Sequence, residues 1–306
     1  MTRQLPLVSV IIPIYNVEQY IESCLLSVLN QTYSNIEIIC INDATQDNSM
    51  DIVYKYAEKN PNIVVAEHEF NKKQGAARNT GFAMSSGEFV IFIDSDDLLT
   101  LDAIELLYSE LDKINGDVVY GRQFWNYNSI LSPVQYIDDK INDMLSYNNI
   151  NTIQKNSAVW YIGSPVNRLF RSSFLKKHGI FFPENIYWED VLFTLKTCVY
   201  AVTVGIIPDI VYLRTERTDP KNLSTTQDFT NTKKYTDRDV LMNKTIEFFN
   251  MSIRTGIVDK QTAKIIVRRL LASTEGLINL AAPNLKEWVL HWHKEHETKF
   301  NEYLSG

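Results

Sequence analysis

An acidic tetrapeptide, Asp94-Ser95-Asp96-Asp97, is the segment of the sequence that most clearly suggests chemistry. It directly follows residues 89–93, an apolar run typical of a buried strand. Three carboxylates this close together repel one another, and a hard divalent cation such as Mg²⁺ or Mn²⁺, which prefers oxygen ligands, relieves the repulsion. A diphosphate supplies further oxygens to such a cation. The tetrapeptide therefore predicts a metal-bound nucleotide, while the alternative is a polar turn that caps a helix near Leu101 through Asp97 or Thr100.

A second acidic pair, Glu189-Asp190, precedes the apolar helical pattern of residues 191–200. An ionised carboxylate within hydrogen-bond reach of a hydroxyl group can remove its proton as a general base. The residues alone favour a simpler role, in which carboxylates at the start of a helix accept hydrogen bonds from unpaired N–H groups and interact with the helix dipole. The neighbouring Trp188 suits either a platform for the C–H face of a sugar or the protein core.

The negative charge of the chain lies in its first part. Residues 1–120 carry a net charge of −11 and the remainder +4, which together give the −7 of the whole chain. An acidic nucleotide-binding half repels its ligand unless a cation intervenes, so the imbalance is consistent with a divalent metal. Solvated acidic helices explain the charge equally well.

Alternating strands and helices must position these groups. Five short apolar runs predict strands: Val8–Ile14, Ile36–Ile41, Ile63–Ala66, Phe89–Ile93 and Asp117–Tyr120. Apolar residues recur at helical spacing between them, which indicates βαβ units and a doubly wound α/β domain. Ligands of such domains bind beyond the carboxyl ends of the strands. The polar segments 13–16, 42–47 and 94–97 are therefore expected to line one site.

The pattern divides the chain into two domains. Residues 1–228 are expected to form the catalytic domain, with a nucleotide-binding half at 1–120 and an acceptor-binding half at 121–228. The latter contains a loop at residues 214–228. Residues 229–306 are mostly helical in pattern and form the predicted C-terminal extension.

Composition narrows the class of protein. The 306 residues, 45% hydrophobic and 22% charged, are typical of a globular chain with a sizeable core. Cys24, Cys40 and Cys198 lie in apolar stretches and are expected to be buried thiols. The N-terminus shows no secretory signal, and no apolar run approaches the roughly 20 residues that span a bilayer, which predicts a cytosolic protein. No phosphate-binding glycine loop of the P-loop or dinucleotide type is present. Neither half has a dense basic stripe with interleaved aromatic residues, which argues against nucleic-acid binding.

Four segments in a fixed order resemble the family-two glycosyltransferases, which are inverting enzymes with the GT-A fold. They are Val10–Asn16, Asn42–Ser49, Ala77-Arg78-Asn79, and Gly87-Glu88 leading into the acidic tetrapeptide. The resemblance covers residues 7–115 most strongly. It implies a GT-A-like, doubly wound and mostly parallel sheet followed by the helical extension.

The resemblance also implies roles in binding a nucleotide-sugar donor. The backbone around Pro13 and the ring of Tyr15 would flank the base, and Asp43 would accept a hydrogen bond from the N–H of uracil. Asp94 would bind the ribose hydroxyls, and Asp96 would hold the metal that bridges the two phosphates.

Further residues are expected around the diphosphate. Ser95 is part of the nucleotide-binding turn, and Arg78 would lie near the donor, with an ion pair to Asp94 or Asp96 as the alternative. The segment from Arg214 to Ser224 resembles a flexible element that closes over the diphosphate. We assign Arg217 and Ser224 to it as nucleotide-binding residues that neutralise the leaving group, while the alternative is a solvated charged loop.

The same resemblance favours the catalytic role of the second acidic pair. It implies that Asp190 is the general base and that Glu189 and Trp188 bind the acceptor. Two departures from the family pattern are visible, since Ala44 and Lys73 stand where the family usually has glycine. The carboxylate of Asp43 is kept, so the assignment of the base-binding site is unaffected.

We therefore predict a metal-dependent, inverting hexosyltransferase. It would move a Gal, Glc, GlcNAc or GalNAc type of sugar from a UDP-sugar to a glycan hydroxyl, in bacterial lipopolysaccharide, capsule or other surface polysaccharide synthesis. Lys264, Arg268 and Arg269 on an amphipathic segment suit contact with the inner face of the membrane, where lipid-linked acceptors reside, or ordinary packing. The alternatives are a sugar nucleotidyltransferase, whose triphosphate loop is missing here, and a noncatalytic saccharide-binding protein on the same fold.

Overall fold

The computed structural model describes residues 4–127, 129–145, 164–217 and 232–268, together with isolated positions between 286 and 302. The chain divides into two compact units. The first comprises Met1–Asn185 and Glu189–Glu216, and the second comprises Ile186–Trp188 and Arg217–Gly306.

Within the described residues, the first unit is built on a nine-stranded sheet. Its strands are β1 (Val8–Ile14), β2 (Ile36–Asn42), β3 (Ile63–Glu67), β4 (Phe89–Phe92), β5 (Leu98–Leu99), β6 (Val118–Tyr127), β7 (Ile130–Pro133), β8 (Arg168–Arg171) and β9 (Val204–Thr215). Its helices are α1 (Ile21–Leu29), α2 (Ser49–Ala57), α3 (Lys73–Met84), α4 (Ala103–Ile114), α5 (Gln135–Leu145), α6 (Ser172–Lys177) and α7 (Glu189–Tyr200). The strand order is β3-β2-β1-β4-β8-β6-β9-β5, and β7 pairs with β6.

The first four strands run parallel, as their apolar sequences predict. β1 pairs with β2 on one side and with β4 on the other, and β3 pairs with β2. β1 and β4 are buried along their whole length, because helices cover both faces of the sheet. β8 then joins β4 and β6 in antiparallel pairs, and β9 runs parallel to β6.

The second half of the sheet departs from the sequence prediction. β6 extends to Tyr127 instead of ending at Tyr120, and β9 was not predicted at all. Arg214 and Thr215, expected in a loop, are the last residues of β9. Pro208 and Asp209 interrupt the apolar pattern of β9 where they are exposed, next to an irregularity in its register with β6.

An aromatic cluster holds α7 against the sheet. The rings of Phe182 and Phe193 stack with centroids 3.8 Å apart, and Phe92 and Phe170 meet Phe193 edge to face. These contacts add to the burial of apolar area, so they fix α7 close to β4 and β8. The predicted helix after Trp188 is therefore present, and it begins at Glu189.

The second unit contains α8 (Lys233–Arg254) and a helical segment at residues 260–268. The short segment Ile186–Trp188 packs on α8, where the backbone N–H of Tyr187 donates to Asp237 over 3.0 Å. Among the described residues, none of the helices has the length and apolarity required to span a membrane. The predicted basic segment is helical through Arg268, and Arg269 lies outside the described residues.

The two departures from the family pattern both have left-handed backbone. Ala44 has a φ of 57° and Lys73 a φ of 68°. A side chain in this conformation costs about 1–2 kcal/mol, which glycine avoids. The turn after β2 and the start of α3 therefore keep the geometry of a glycine without having one.

We expect Ala44→Gly to raise the free energy of unfolding by up to about 1 kcal/mol, because the relief of left-handed strain exceeds the added entropy of the unfolded chain. Ala83→Gly is the matched control. Ala83 is exposed within α3, so its replacement should lower stability by about 1 kcal/mol. Urea denaturation measures both, and a loss of stability in both variants would contradict the account.

Candidate active site

Three strand ends form the frame of the candidate site. β1 lies between β2 and β4. From β1 the chain continues to β2 and β3 on one side, and it then crosses back to form β4 on the other side of β1. Such a switch point opens a crevice at the carboxyl ends of the strands. Tyr15 follows β1, Asp43 follows β2 and Asp94 closely follows β4, so the structure brings these predicted residues to one edge.

Asp43 is buried just after the end of β2, where neighbouring polar groups hold its carboxylate. Its carboxylate is 2% exposed, and Oδ1 lies 2.7 Å from Nδ1 of His68 and 2.8 Å from the backbone nitrogen of Lys72. The other ring nitrogen of His68 lies 2.9 Å from Oγ1 of Thr80. Among the described residues, both contacts of the carboxylate use Oδ1, which leaves Oδ2 to accept a hydrogen bond from a ligand.

His68 is a site residue that the sequence analysis missed. It follows β3 as Asp43 follows β2, so the rule of inspecting strand ends would have found it had it been applied to the third strand. Its role in the structure is to hold the Asp43 carboxylate.

Tyr15 is exposed at the end of β1, and Pro13 is buried within the strand. The next residue, Asn16, has a φ of 52° and joins the turn after β2, because its backbone N–H donates to Oγ1 of Thr45 over 2.8 Å. The backbone N–H of Gln46 donates in return to the Asn16 side chain over 3.1 Å. The turns that carry Tyr15 and Asp43 are therefore fixed to each other.

The acidic tetrapeptide, residues 94–97, forms the acidic turn, which is anchored through Asp97. This buried carboxylate accepts hydrogen bonds from the Tyr212 hydroxyl at 2.7 Å and from the backbone N–H of Thr215 at 2.7 Å. Burial raises the pKa of Asp97 well above its usual value, and the charges of Asp96 and Asp94 raise it further. The contacts of Asp97 thus go to β9.

The helix-capping alternative does not hold for this turn. α4 begins at Ala103 with Asp102 at its N-cap, so neither Asp97 nor Thr100 caps it. Ser95 is buried, and Asp94 and Asp96 are the half-exposed carboxylates of the turn. Tyr212, the partner of Asp97, was also missed, because the sequence pattern did not reveal β9.

Arg78 joins the acidic turn to the second acidic pair. Its Nη2 donates to Asp94 Oδ1 over 2.6 Å and its Nη1 donates to Glu189 Oε1 over 2.8 Å. Burial lowers the pKa of Arg78, but the carboxylates of Asp94 and Glu189 outweigh it and raise the pKa overall. The ion pair with Asp94 that the sequence offered as an alternative is therefore present.

Glu189 and Asp190 begin α7, and they differ in environment. Glu189 is 9% exposed, and burial raises its pKa to about 7, against the opposing effect of Arg78 and with a further rise from Asp190. Asp190 is half-buried. Two adjacent carboxyl groups in different environments are able to take different roles.

The sequence predicts a divalent cation at the acidic turn. Within the described part of the chain, no three His, Cys, Asp or Glu side chains form a group that could hold a metal ion. The half-exposed carboxylate of Asp96 offers oxygen ligands of the kind that Mg²⁺ and Mn²⁺ prefer, and these ions commonly take their remaining ligands from phosphates and water.

Two predicted site residues belong to the second unit, and one lies outside the described residues. The indole N–H of Trp188 donates to the backbone oxygen of Lys234 over 3.0 Å, and the guanidinium of Arg238 lies 5.1 Å from its ring. Arg217 is half-buried. Ser224 falls within residues 218–231, which the structure does not describe.

The family profile and the relatives that match this chain are all glycosyltransferases. The profile of the family described as "Glycosyl transferase family 2" matches residues 9–179. The chain is 31% identical over 221 residues to the poly(ribitol-phosphate) beta-glucosyltransferase of Bacillus spizizenii, covering 71% of this chain and 33% of that protein. It is 30% identical over 224 residues to the glycosyltransferase EpsJ of Bacillus subtilis, covering 72% of this chain and 63% of that one. The chain therefore spans less than two thirds of these relatives.

A solved structure is similar over most of the chain. Residues 1–349 of Staphylococcus aureus TarS, in complex with UDP-GlcNAc, align with a TM-score of 0.66 and 23% identity over 96% of this chain and 88% of that one. This similarity shows the fold, which is the GT-A fold that the sequence resemblance implied.

The raised pKa of Glu189 gives stability a specific pH dependence. Between its unfolded pKa near 4.5 and its folded pKa of about 7, the native state holds a proton that the unfolded state has released, so stability falls as pH rises. Glu189→Gln keeps an oxygen that accepts from Arg78 but does not titrate. From pH 5 to pH 8, we expect wild type to lose roughly 2 to 3 kcal/mol of unfolding free energy relative to this variant.

Urea denaturation at the two pH values measures this difference. Glu58→Gln, which removes an exposed carboxylate from the end of α2, controls for the loss of a charge. A difference between wild type and Glu189→Gln that stays constant with pH would rule out a buried, proton-holding Glu189.

Proposed function

The chain belongs to glycosyl transferase family 2, and on that premise we propose that it transfers a sugar from a UDP-sugar to a hydroxyl group of a glycan, with inversion at the anomeric carbon. One observation carries the proposal. The guanidinium of Arg78 contacts both Asp94 of the acidic turn and Glu189 of the second acidic pair. Groups suited to donor binding and to proton removal thus belong to one assembly.

The donor would lie across the three strand ends. The available Oδ2 of Asp43 matches the N–H donor of uracil, and the exposed ring of Tyr15 offers a surface beside the base. Asp94 is assigned to the ribose hydroxyls. Asp96, next to Ser95, would hold Mg²⁺ or Mn²⁺, which when bound neutralises the charge of the diphosphate leaving group.

Acceptor activation is assigned to Asp190. As the acceptor oxygen forms its bond to the anomeric carbon, the bond from that carbon to the diphosphate oxygen breaks, and the hydroxyl proton passes to a carboxylate. Glu189 is the poorer candidate, since its carboxyl group is buried and bound to Arg78. Asp190 is the next residue of the same helix and is only half-buried, which favours it as the base.

The names of the relatives support a proposal for the substrate class. Their printed names include a poly(ribitol-phosphate) beta-glucosyltransferase, and the similar TarS structure holds UDP-GlcNAc. We therefore propose a UDP-hexose or UDP-N-acetylhexosamine as donor and a bacterial surface polysaccharide as acceptor. Residues 121–228 would form the acceptor-binding half, with Trp188 beside the acceptor and Arg217 and Ser224 in an element that closes over the diphosphate.

A lipid-linked acceptor would bring the protein to the inner face of the membrane. Within residues 260–268, Arg268 is exposed and Lys264 is half-buried, so this segment presents positive charge to anionic headgroups. The proposal therefore includes a peripheral contact of the second unit with the membrane.

Asp190→Asn tests the assignment of the base. The amide keeps the size of the side chain but cannot take the proton, so we expect sugar transfer to fall by about 10²–10⁴-fold while UDP binding stays within a few-fold of wild type. Calorimetry and a UDP-release assay with acceptor measure the two quantities. Asp209→Asn, an exposed position in β9, is the matched control. Full transfer by Asp190→Asn would remove Asp190 from the mechanism.

Metal dependence is tested by chelation. We expect excess EDTA to abolish turnover and added Mn²⁺ or Mg²⁺ to restore it, because the diphosphate needs a counter-charge beside the acidic turn. Binding of uridine, which carries no phosphate, should be unaffected and serves as the internal control. Undiminished turnover in the chelator would contradict the assignment of Asp96.

A further inference from the structure

One face of α3 is fitted to the chain segment that leads into α7. Asn79 binds the backbone of Phe182 in both directions, since its amide N–H donates to the Phe182 oxygen over 2.9 Å and its oxygen accepts from the Phe182 nitrogen over 3.0 Å. The same amide group donates to Glu184 over 2.9 Å. The segment just before Glu189 is thereby held on α3.

Gly75 lies one turn before Arg78 and permits a close approach. A Cβ atom at this position would lie 2.4 Å from the backbone oxygen of Pro183 and 3.1 Å from Cγ of Glu189. The first distance is far below any normal contact, and the obstructing atom belongs to the backbone. Glycine is therefore required here so that α3 and the start of α7 can meet.

The buried side chain of Arg78 is the third group of α3 that contacts this region. Its side chain is 2% exposed, its guanidinium carbon lies 5.0 Å from the centre of the Phe182 ring, and its two terminal nitrogens are bound to Asp94 and Glu189. Its Nε is buried and has no hydrogen-bond partner among the residues that the structure describes. Because the side chain is 2% exposed and two of its nitrogens already donate to Asp94 and Glu189, a phosphate or sugar oxygen would have to compete with these two acidic side chains for the guanidinium.

We infer that Gly75, Arg78 and Asn79 form a clamp, and that Arg78 is a positioning residue that sets the start of α7, and with it Asp190, relative to Asp94. Arg78 does not bind the diphosphate. This inference rests on the proposed function and adds to it a reason for the spacing of the three residues on α3. Because a displacement of about 1 Å at a reacting group can lower a rate by 10²-fold, the clamp controls turnover more than donor binding.

The test uses Arg78→Lys, which keeps the charge but cannot bridge two carboxylates as a planar fork does. We expect kcat for transfer to fall by about 100-fold. We expect the affinities for UDP and for uridine to change by the same factor, so that their ratio stays at the wild-type value. A phosphate-binding arginine would instead lower the affinity for UDP alone. The folded state of the variant is checked by its thermal melting transition.

Gly75→Ala gives the same test without altering any charged group. The added methyl group displaces Pro183 and Glu189, so we expect a reduced kcat with an unchanged ratio of UDP to uridine affinity. Combining Arg78→Lys with Glu189→Gln should lower kcat by less than the product of the separate effects, since Glu189→Gln keeps the hydrogen bond but removes the charge from the same contact that Arg78→Lys disturbs.

The possible results separate the inference from the proposed function. A folded Arg78→Lys protein with wild-type kcat, or one that loses affinity for UDP but not for uridine, would overturn the clamp. So would a fully active Gly75→Ala. Wild-type protein that binds neither uridine nor UDP, and releases no UDP from any UDP-sugar, would overturn the proposed function itself.

Discussion

The buried guanidinium of Arg78 is the contact on which the rest of the site depends. Removing a guanidinium from water carries a free-energy penalty of several kcal/mol unless carboxylates replace the lost hydration. Here Asp94 contacts Nη2 at 2.6 Å and Glu189 contacts Nη1 at 2.8 Å. Glu189, whose pKa burial raises to about 7, accepts its hydrogen bond from Arg78 in either protonation state. The buried guanidinium therefore depends on both acidic side chains for its hydrogen bonds.

The acidic turn is fixed from two directions. Arg78 on α3 holds Asp94, and Tyr212 with Thr215 on β9 holds Asp97. α3 lies between β3 and β4 in the chain, whereas β9 belongs to the other half of the sheet. The turn that would receive the donor diphosphate is thus bound to both halves of the sheet through Asp94 and Asp97.

Sequence reasoning succeeded where one short segment determined the structure. β1 was predicted with its exact bounds, because a strand covered on both faces is apolar at every position. β9 was missed because Pro208 and Asp209 break its pattern, and Tyr212 was lost with it. The pairing of Arg78 with Glu189 joins residues 111 positions apart, and no local pattern reveals such a contact. The resemblance to the family pointed to both residues but not to their bond.

The most direct test of the account is a UDP-release assay on the wild-type protein across a panel of UDP-sugars, with Mn²⁺ and candidate glycan acceptors. GDP-sugars and CDP-sugars serve as controls, because the Asp43 pocket is assigned to uracil. The account predicts acceptor-dependent release of UDP from at least one UDP-sugar and a product whose anomeric configuration is opposite to that of the donor. Release from a GDP-sugar or CDP-sugar in preference to every UDP-sugar, or a product of retained configuration, would contradict it.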